Sequence, residues 1–498
     1  MSIEAHLPAL QVAVPLAFSP LSALMRGHWL PWVSCTLVVL YCFLGAIALS
    51  LQVFAGGPIV YEIGGWPPPY GIPLVIDSLA ALMLVLITGA SLAGLVYGRS
   101  TLMAEIDVER QPYIFTAWLL ATAGLSGIVA TGDAFNIFVF LEISSLASYI
   151  LISAGPDRRA LTASFKYLIM GTIGGTFYLI GVGLIYMMTG TLNIADMADR
   201  ILEVELTRPI YMAAGFITIG LALKAAIFPM HSWMPNAYAS APVAVAVFLS
   251  ACSTKVALYV LFRIDYTLLQ GALPEHSKDI TYLLLPLAIL GFILGSVAAI
   301  FQKDVKRILG YSSVAQLGYI VAGAALISAA GVKAGLVHMF NHALIKATLF
   351  MAIGAVVLQA GKSRLMLADL AGAARVMPWT MAAFLVSGLS LIGVPATAGF
   401  ISKWYLVLAA LEKGVWAPIL IFLILVSSLL ALIYIWRVVE QAYFTQRPAN
   451  AVLLKEAPLS VLIPLWIAAA ANIFFGFAPD VPLAFAERAA ALLTEGLQ

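Results

Sequence analysis

Gly220-Leu-Ala-Leu-Lys224-Ala-Ala-Ile-Phe-Pro229-Met-His231-Ser-Trp233-Met-Pro235 is an apolar stretch that holds a lysine, a histidine and two prolines. Each proline lacks an N–H and clashes with the turn before it, so Pro229 and Pro235 predict an interrupted helix. A broken backbone survives at membrane depth only where protein or water covers it. A lysine at mid-bilayer costs about 2.5–3.5 kcal/mol on insertion scales. His231, between the prolines, has an imidazole suited to proton exchange near neutrality. A kink that merely shapes a bundle is the bland reading. Lys224 and His231 beside it point instead to a polar site inside a membrane.

The rest of the chain supplies that membrane context. Its 498 residues are 62% hydrophobic and 10% charged, against about 25% charged in soluble domains. The mean hydropathy is +1.02. The net charge of +2 implies no basic face for nucleic acid. Cys35, Cys42 and Cys252 form no CxxC pair, which argues against a disulfide framework, a zinc site or an iron–sulfur site. The first residues lack a basic region followed by a small-residue cleavage site, so the first apolar run is expected to be a retained helix. Apolar segments fall at about 8–24, 30–54, 74–97, 112–130, 134–153, 160–189, 209–238, 241–263, 281–301, 306–329, 332–358, 378–410, 415–443 and 458–478. The expected fold is therefore an all-α polytopic membrane protein of about fourteen helices. Of the longer connections, 55–73 contains Trp66-Pro67-Pro68-Pro69, and 190–208, from Asn193 through Glu205, reads as a short amphipathic surface helix.

Four lysines, Lys224, Lys255, Lys346 and Lys403, lie inside apolar segments. Glu142 is the one carboxylate deep in such a segment, in Phe135-Asn-Ile-Phe-Val-Phe-Leu-Glu142-Ile-Ser-Ser. It could be half of a structural ion pair, or a carboxylate that carries or modulates protons. One acid cannot neutralise four lysines, which favours the second reading. Lys255 follows Ser250-Ala-Cys-Ser-Thr; snorkelling is its bland alternative, weakened by apolar residues on both sides. His338, His342 and Lys346 are spaced i, i+4, i+8 and share one helical face. Two histidines at i, i+4 could hold a metal, but no carboxylate or cysteine is near in sequence. A row of protonatable groups fits a proton relay better. No metal and no cofactor is therefore assigned.

Lys403 follows a second broken stretch, Gly388-Leu-Ser-Leu-Ile-Gly393-Val-Pro395-Ala-Thr-Ala-Gly399-Phe-Ile-Ser-Lys403. The two interrupted helices lie five segments apart. Corresponding breaks mark an inverted repeat with its transport sites near the repeat interface, and an odd spacing reverses the second unit. The expected units are N-terminal helices at 1–111, a first five-helix repeat at 112–263, a second at 281–443, and a C-terminal helix and tail at 444–498. Of the 26 lysines and arginines, four are intramembrane. Seven (Arg200, Arg208, Arg263, Lys278, Lys333, Lys413 and Arg488) fall on one set of loops and the other fifteen on the opposite set. The positive-inside rule makes the richer side cytoplasmic and places both termini outside. The glycines of Gly171-Thr-Ile-Gly174-Gly175 and Gly291-Phe-Ile-Leu-Gly295 are explained by close helix packing. No nucleophile elbow, phosphate loop, haem motif or redox motif is present.

Five stretches resemble the proton-pumping antiporter-like subunits of Mrp-type Na⁺/H⁺ antiporters, respiratory complex I and membrane-bound hydrogenases. They are Gly132 to Glu142, Leu223 to Pro235, Tyr311-Ser312-Ser313-Val-Ala-Gln316-Leu-Gly, His338 to Lys346, and Gly393 to Lys403. The resemblance covers nearly the whole chain. It implies fourteen helices with outside termini and two inverted five-helix repeats. It also implies an ion pair between Glu142 and Lys224, a central proton carrier at Lys255, linking groups at His338, His342 and Lys346, and a terminal site at Lys403. Ser312, Ser313, Gln316 and His231 are secondary candidates. Phe135 to Ser145 and Thr189-Gly-Thr-Leu-Asn-Ile look most like the D-type component of the Mrp antiporter.

The expected function is proton translocation in a multisubunit monovalent cation (Na⁺)/H⁺ antiporter in the bacterial inner membrane, with other membrane subunits as partners. A proton-pumping subunit of complex I or a hydrogenase is the alternative within the family. A structural anchor subunit and a stand-alone transporter of an organic solute are the alternatives of other classes.

Overall fold

The computed structural model describes residues 3–27, 29–204, 208–270, 276–448 and 454–495. Glu205, at the end of the expected surface helix, lies outside them, as do parts of the expected C-terminal unit. The described chain is almost entirely helical: α1 (Leu7–Leu24), α2 (Trp29–Gly56), α3 (Ser78–Glu105), α4 (Gln111–Ala130), α5 (Ala134–Ser153), α6 (Arg159–Thr189), α7 (Ile194–Glu203), α8 (Arg208–Lys224) and α9 (Trp233–Ser240), then α10 (Val243–Ile264), α11 (His276–Ile300), α12 (Val305–Ala325), α13 (Ala329–Ala360), α14 (Pro378–Ile392), α15 (Ala398–Leu411), α16 (Ala417–Val439), α17 (Leu459–Phe477) and α18 (Asp480–Thr494). Among the described residues twelve helices are long and apolar enough to cross a membrane, or thirteen if Leu367–Val376 and α14, which meet at 116°, form one span. The expected segments missing from the twelve are the two interrupted ones, whose pieces are individually short.

The first break runs over residues 225–232, from the last residue of α8 to the start of α9. Pro229 lies in it. Pro235 does not: it is the third residue of α9. In a first turn the amide has no intrahelical partner, so proline costs nothing there. The second break, residues 393–397, contains Gly393 and Pro395 as expected. Gly393 closes α14 with a φ of 92°, a left-handed backbone that glycine adopts without strain.

Two elements had no counterpart in the sequence reading. The 55–73 connection folds into an antiparallel hairpin, β1 (Ile59–Glu62) with β2 (Pro73–Ile76). Beyond α17 the chain forms α18, which packs on α3 and α13. The amphipathic α7 forms as expected, capped by Asn193.

The chain from α4 to α10 and the chain from α11 to α16 repeat one order of features. Each has a helix, an Asp-capped helix (Asp133 for α5, Asp304 for α12), and a helix of 31 or 32 residues that ends on a left-handed glycine, Gly190 or Gly361. Each capping aspartate forms a backbone bridge to the segment after that long helix, Asp133 to Asn193 and Asp304 to Met366. A short surface helix, a broken helix and a final helix follow in both.

The core is built from α10, α12 and α13. Nearly every residue in the spanning parts of α10 and α12 is buried. Lipid-facing apolar side chains such as Leu44, Phe165, Phe422 and Ile467 are exposed on the outer helices. α3 packs along α10 and contacts it at both ends. Asp77, the N-cap of α3, receives two bonds from the Arg263 guanidinium at 2.6 and 2.9 Å. Glu105, the last residue of α3, accepts the Val243 amide at 2.9 Å. Burial pushes the Asp77 carboxyl up, but Arg263 and the capping amides outweigh it and hold the group below the ordinary carboxylate range.

Candidate functional site

The interior holds buried bases on α8, α10, α13 and α15, of which Lys224 is the first in the chain. This residue ends α8, where its ammonium reaches Glu142 Oε1 and Ser145 Oγ of α5, both at 2.9 Å. Glu142 and Ser145 are three residues apart and so share one face of α5. The Lys224 side chain is 6% exposed and that of Glu142 25%. Gly174 and Gly175 of α6 make the space for the pair. A Cβ at Gly175 would collide with Glu142 Oε1, and one at Gly174 would fall 3.1 Å from Lys224 Cγ. Beside the pair is a cavity of about 20 Å³, lined by Ser145, Ser148, Tyr167, Lys224 and Ser253. That is room for one water among hydroxyls.

Lys255 is fully buried in α10, and its ammonium donates to the Ser250 carbonyl of its own helix. It is an electrostatic neighbour of His338, His342 and Lys346 on α13. The α13 bases do share one face. The His338 and His342 rings lie parallel, with centroids 6.0 Å apart. Lys346 donates to the Leu309 carbonyl at 2.9 Å and to the Ser312 hydroxyl, both on α12. His338 Nδ1 and Ser402 Oγ of α15 share a hydrogen bond of 2.7 Å. That bond carries the row to Lys403, one residue further on. The Lys403 ammonium donates to the Leu391 and Ile392 carbonyls at 3.1 and 2.8 Å and to Ser428 Oγ at 3.0 Å. It also stands 4.9 Å from the centre of the Tyr319 ring, a favourable place for a cation.

The structure thus brings Lys255, His338, His342, Lys346 and Lys403 together and joins Glu142 to Lys224 beside a small cavity that Ser253 and Val256 of α10 also line. Ser312 belongs to the row as a ligand of Lys346. The Ser313 hydroxyl instead returns to Leu309 of its own helix. Gln316 is buried on α12 with both amide atoms lacking a protein partner among the described residues, as are both ring nitrogens of His342 and Nε2 of His338. Buried polar atoms in that state are ordinarily served by internal water. His231 stays apart: it lies in the first break, stacked on Phe228 and edge-on to Tyr311, with no bond to Lys224.

Of the partners of these bases, Glu142 and Ser312 are named from the sequence, while Ser145, Ser402 and Ser428 are not. Ser145 had a signal, being one turn from Glu142. Ser402 and Ser428 had none, because contacts between distant helices are not written locally. The reading also treated Gly174-Gly175 as packing alone, whereas the structure places the ion pair against them.

The family described as NADH:quinone oxidoreductase/Mrp antiporter, TM, matches residues 131–431. A NADH-quinone oxidoreductase subunit N from Desulforudis audaxviator (strain MP104C) is 41% identical, covering 93% of this chain and 94% of its own length. The D-type component of a Na⁺/H⁺ antiporter from Alkalihalophilus pseudofirmus is 31% identical, over 95% and 94%. A chain in the solved Mrp complex from Dietzia sp. DQ12-45-1b superposes with a TM-score of 0.89 at 27% identity, covering 99% of this chain and 98% of that one. These relatives are subunits of multisubunit membrane complexes. The chain is a multi-pass, antiporter-like membrane subunit and belongs to the NADH:quinone oxidoreductase/Mrp antiporter family.

Proposed function

We propose that this subunit translocates protons along the row from Glu142 and Lys224, through Lys255, His342, Lys346 and His338, to Lys403, within a multisubunit Na⁺/H⁺ antiporter. The observation that carries this reading is the cluster of buried bases. Lys255, His338, His342 and Lys346 lie on α10 and α13 in the core, Lys403 follows Ser402, which bonds His338, and among the described residues only Lys224 of the buried lysines in this path has a carboxylate partner. A structural anchor has no use for so many buried charges, each costing about 2.5–3.5 kcal/mol. Opening the Glu142–Lys224 pair changes the field at Lys255, and each later group feels its neighbour in the same way.

The repeated order of features supports two five-helix units, 112–263 and 281–443, the second inverted, with Lys224 and Lys403 at their breaks. The excess of cations on one set of loops supports termini on the outer side. A second reading, a proton-pumping subunit of a redox-driven complex, is favoured by the 41% identical relative.

Two experiments test the proposal. In vesicles that contain the purified complex, Glu142→Ala and Lys224→Ala should each abolish proton flux while assembly persists; normal flux in both variants overturns the mechanism. Capture of the native complex followed by mass spectrometry separates the two assemblies. Small hydrophobic antiporter subunits alone support the antiporter, whereas iron–sulfur or nickel subunits support the redox-driven pump.

A further inference from the structure

A cleft of about 220 Å³ opens where α6 and α9 meet α12 and the chain that follows α13. It lies on the face whose loops hold the excess of arginine and lysine. Four cations line it: Arg159 and Lys166 from α6, Arg307 from α12, and Arg364. Two carboxylates also line it, and Asp304 is committed. Asp304 accepts the Lys306 and Arg307 amides at 3.0 and 3.3 Å and the Arg364 guanidinium at 2.8 Å. Asp157 accepts the Arg159 amide at 3.0 Å.

Arg159, Lys166 and Arg307 make no ion pair among the described residues. Arg307 Nε is buried without a partner among the described residues, while its guanidinium rests 5.9 Å from the centre of the Tyr311 ring. The first turns of α6 and α12 also begin at this cleft, where Asp157 and Asp304 accept amides of those turns. The positive-inside rule explains cations on this face. It does not explain three of them converging unpaired on one concavity.

We propose that this cleft binds a phosphate group, carried by an anionic lipid or supplied as free phosphate. Guanidinium forks match phosphate oxygens in pairs, and basic pockets between membrane helices take lipid headgroups. The bound group lies between α9, which follows the first break, and α12, which holds Ser312 and Gln316. It therefore braces one five-helix unit against the other, independently of whether the row conducts protons.

The test uses the intact complex purified in mild detergent from wild type and from the double variant Lys166→Gln/Arg307→Gln. A lipid ligand predicts that native mass spectrometry finds anionic phospholipid retained by wild type and reduced about tenfold or more in the variant. A soluble ligand predicts that millimolar inorganic phosphate raises the Tm of the delipidated wild-type complex above that in chloride of equal ionic strength, and that the variant loses this rise. Arg158→Gln, beside the cleft but not lining it, should behave as wild type in both assays. If the double variant does not assemble, Arg159→Gln at the exposed rim supplies the same comparison. Equal lipid retention and equal phosphate response in wild type and variant, or an equal loss in Arg158→Gln, overturns the proposal.

Discussion

Lys224 and Lys403 stand at the two helix breaks and are held by different chemistry. Lys224 is the last residue of the first half-helix and faces a carboxylate from another helix. Lys403 lies within the second half-helix and turns back to the closing carbonyls of the first, Leu391 and Ile392. A helix carboxyl end carries roughly half a negative charge from its unpaired carbonyls. The first lysine therefore has a partner that can itself be protonated or move away. The second has a counter-charge fixed in the backbone, so only the lysine can change state. The difference teaches that one end of the row can be switched by its partner, while the other answers only to its own proton and its neighbours.

The largest expected effect comes from removing the switchable partner. Glu142→Gln should bring proton flux in vesicles to background, and leaving Lys224 buried without its carboxylate should cost about 3–5 kcal/mol of stability. The double variant Glu142→Gln/Lys224→Met should recover much of that stability and none of the flux; recovered flux would mean the pair is only structural. Next in size is Gly175→Ala, which keeps every charge but puts a methyl group against Glu142 Oε1. Displacing the carboxylate should lower flux about tenfold or more, and wild-type flux would show that the pair tolerates movement.

At the other end the effects should be smaller. Ser428→Ala removes one of three acceptors from Lys403 and leaves both carbonyls, so flux should fall about two- to threefold. A loss as large as that of Glu142→Gln would erase the proposed contrast between the two lysines. The smallest effect on flux is expected of Asp77→Asn, remote from the row. Its readout is stability. The depressed Asp77 pKa stabilises the fold above the unfolded value near about 4 and loses that contribution as pH falls through the folded value. Thermal melts of wild type should therefore drop more steeply with acidification below about pH 4 than those of the variant.

The cations, the glutamate and both broken segments were legible in the sequence because each violates a strong local rule. Charge is costly in an apolar run, and proline and glycine interrupt helices wherever they fall. Pro235 escaped that logic because a proline is neutral once a helix has restarted just before it. The β1–β2 hairpin escaped because its strands have only four residues each. Most of the other acceptors of the four lysines were hidden for a different reason. Apart from Glu142, Ser145 and Ser312 they are backbone carbonyls and Ser428, and nothing about a serine near residue 428 says which lysine it meets. The bond from Asp77 to Arg263 joins residues 186 apart, a pairing that follows only from α3 and α10 lying side by side.

That pairing of α3 with α10 has a mechanical consequence. One neighbour grips the Lys255 helix near both of its ends, through Arg263 at one and Val243 at the other. α10 cannot slide along its axis without tearing one of those grips. Lys255 is in effect a surveyor's fixed mark: whatever shifts at the two breaks during turnover is displaced relative to it, and the distance it keeps from α3 is the ruler against which those shifts can be read.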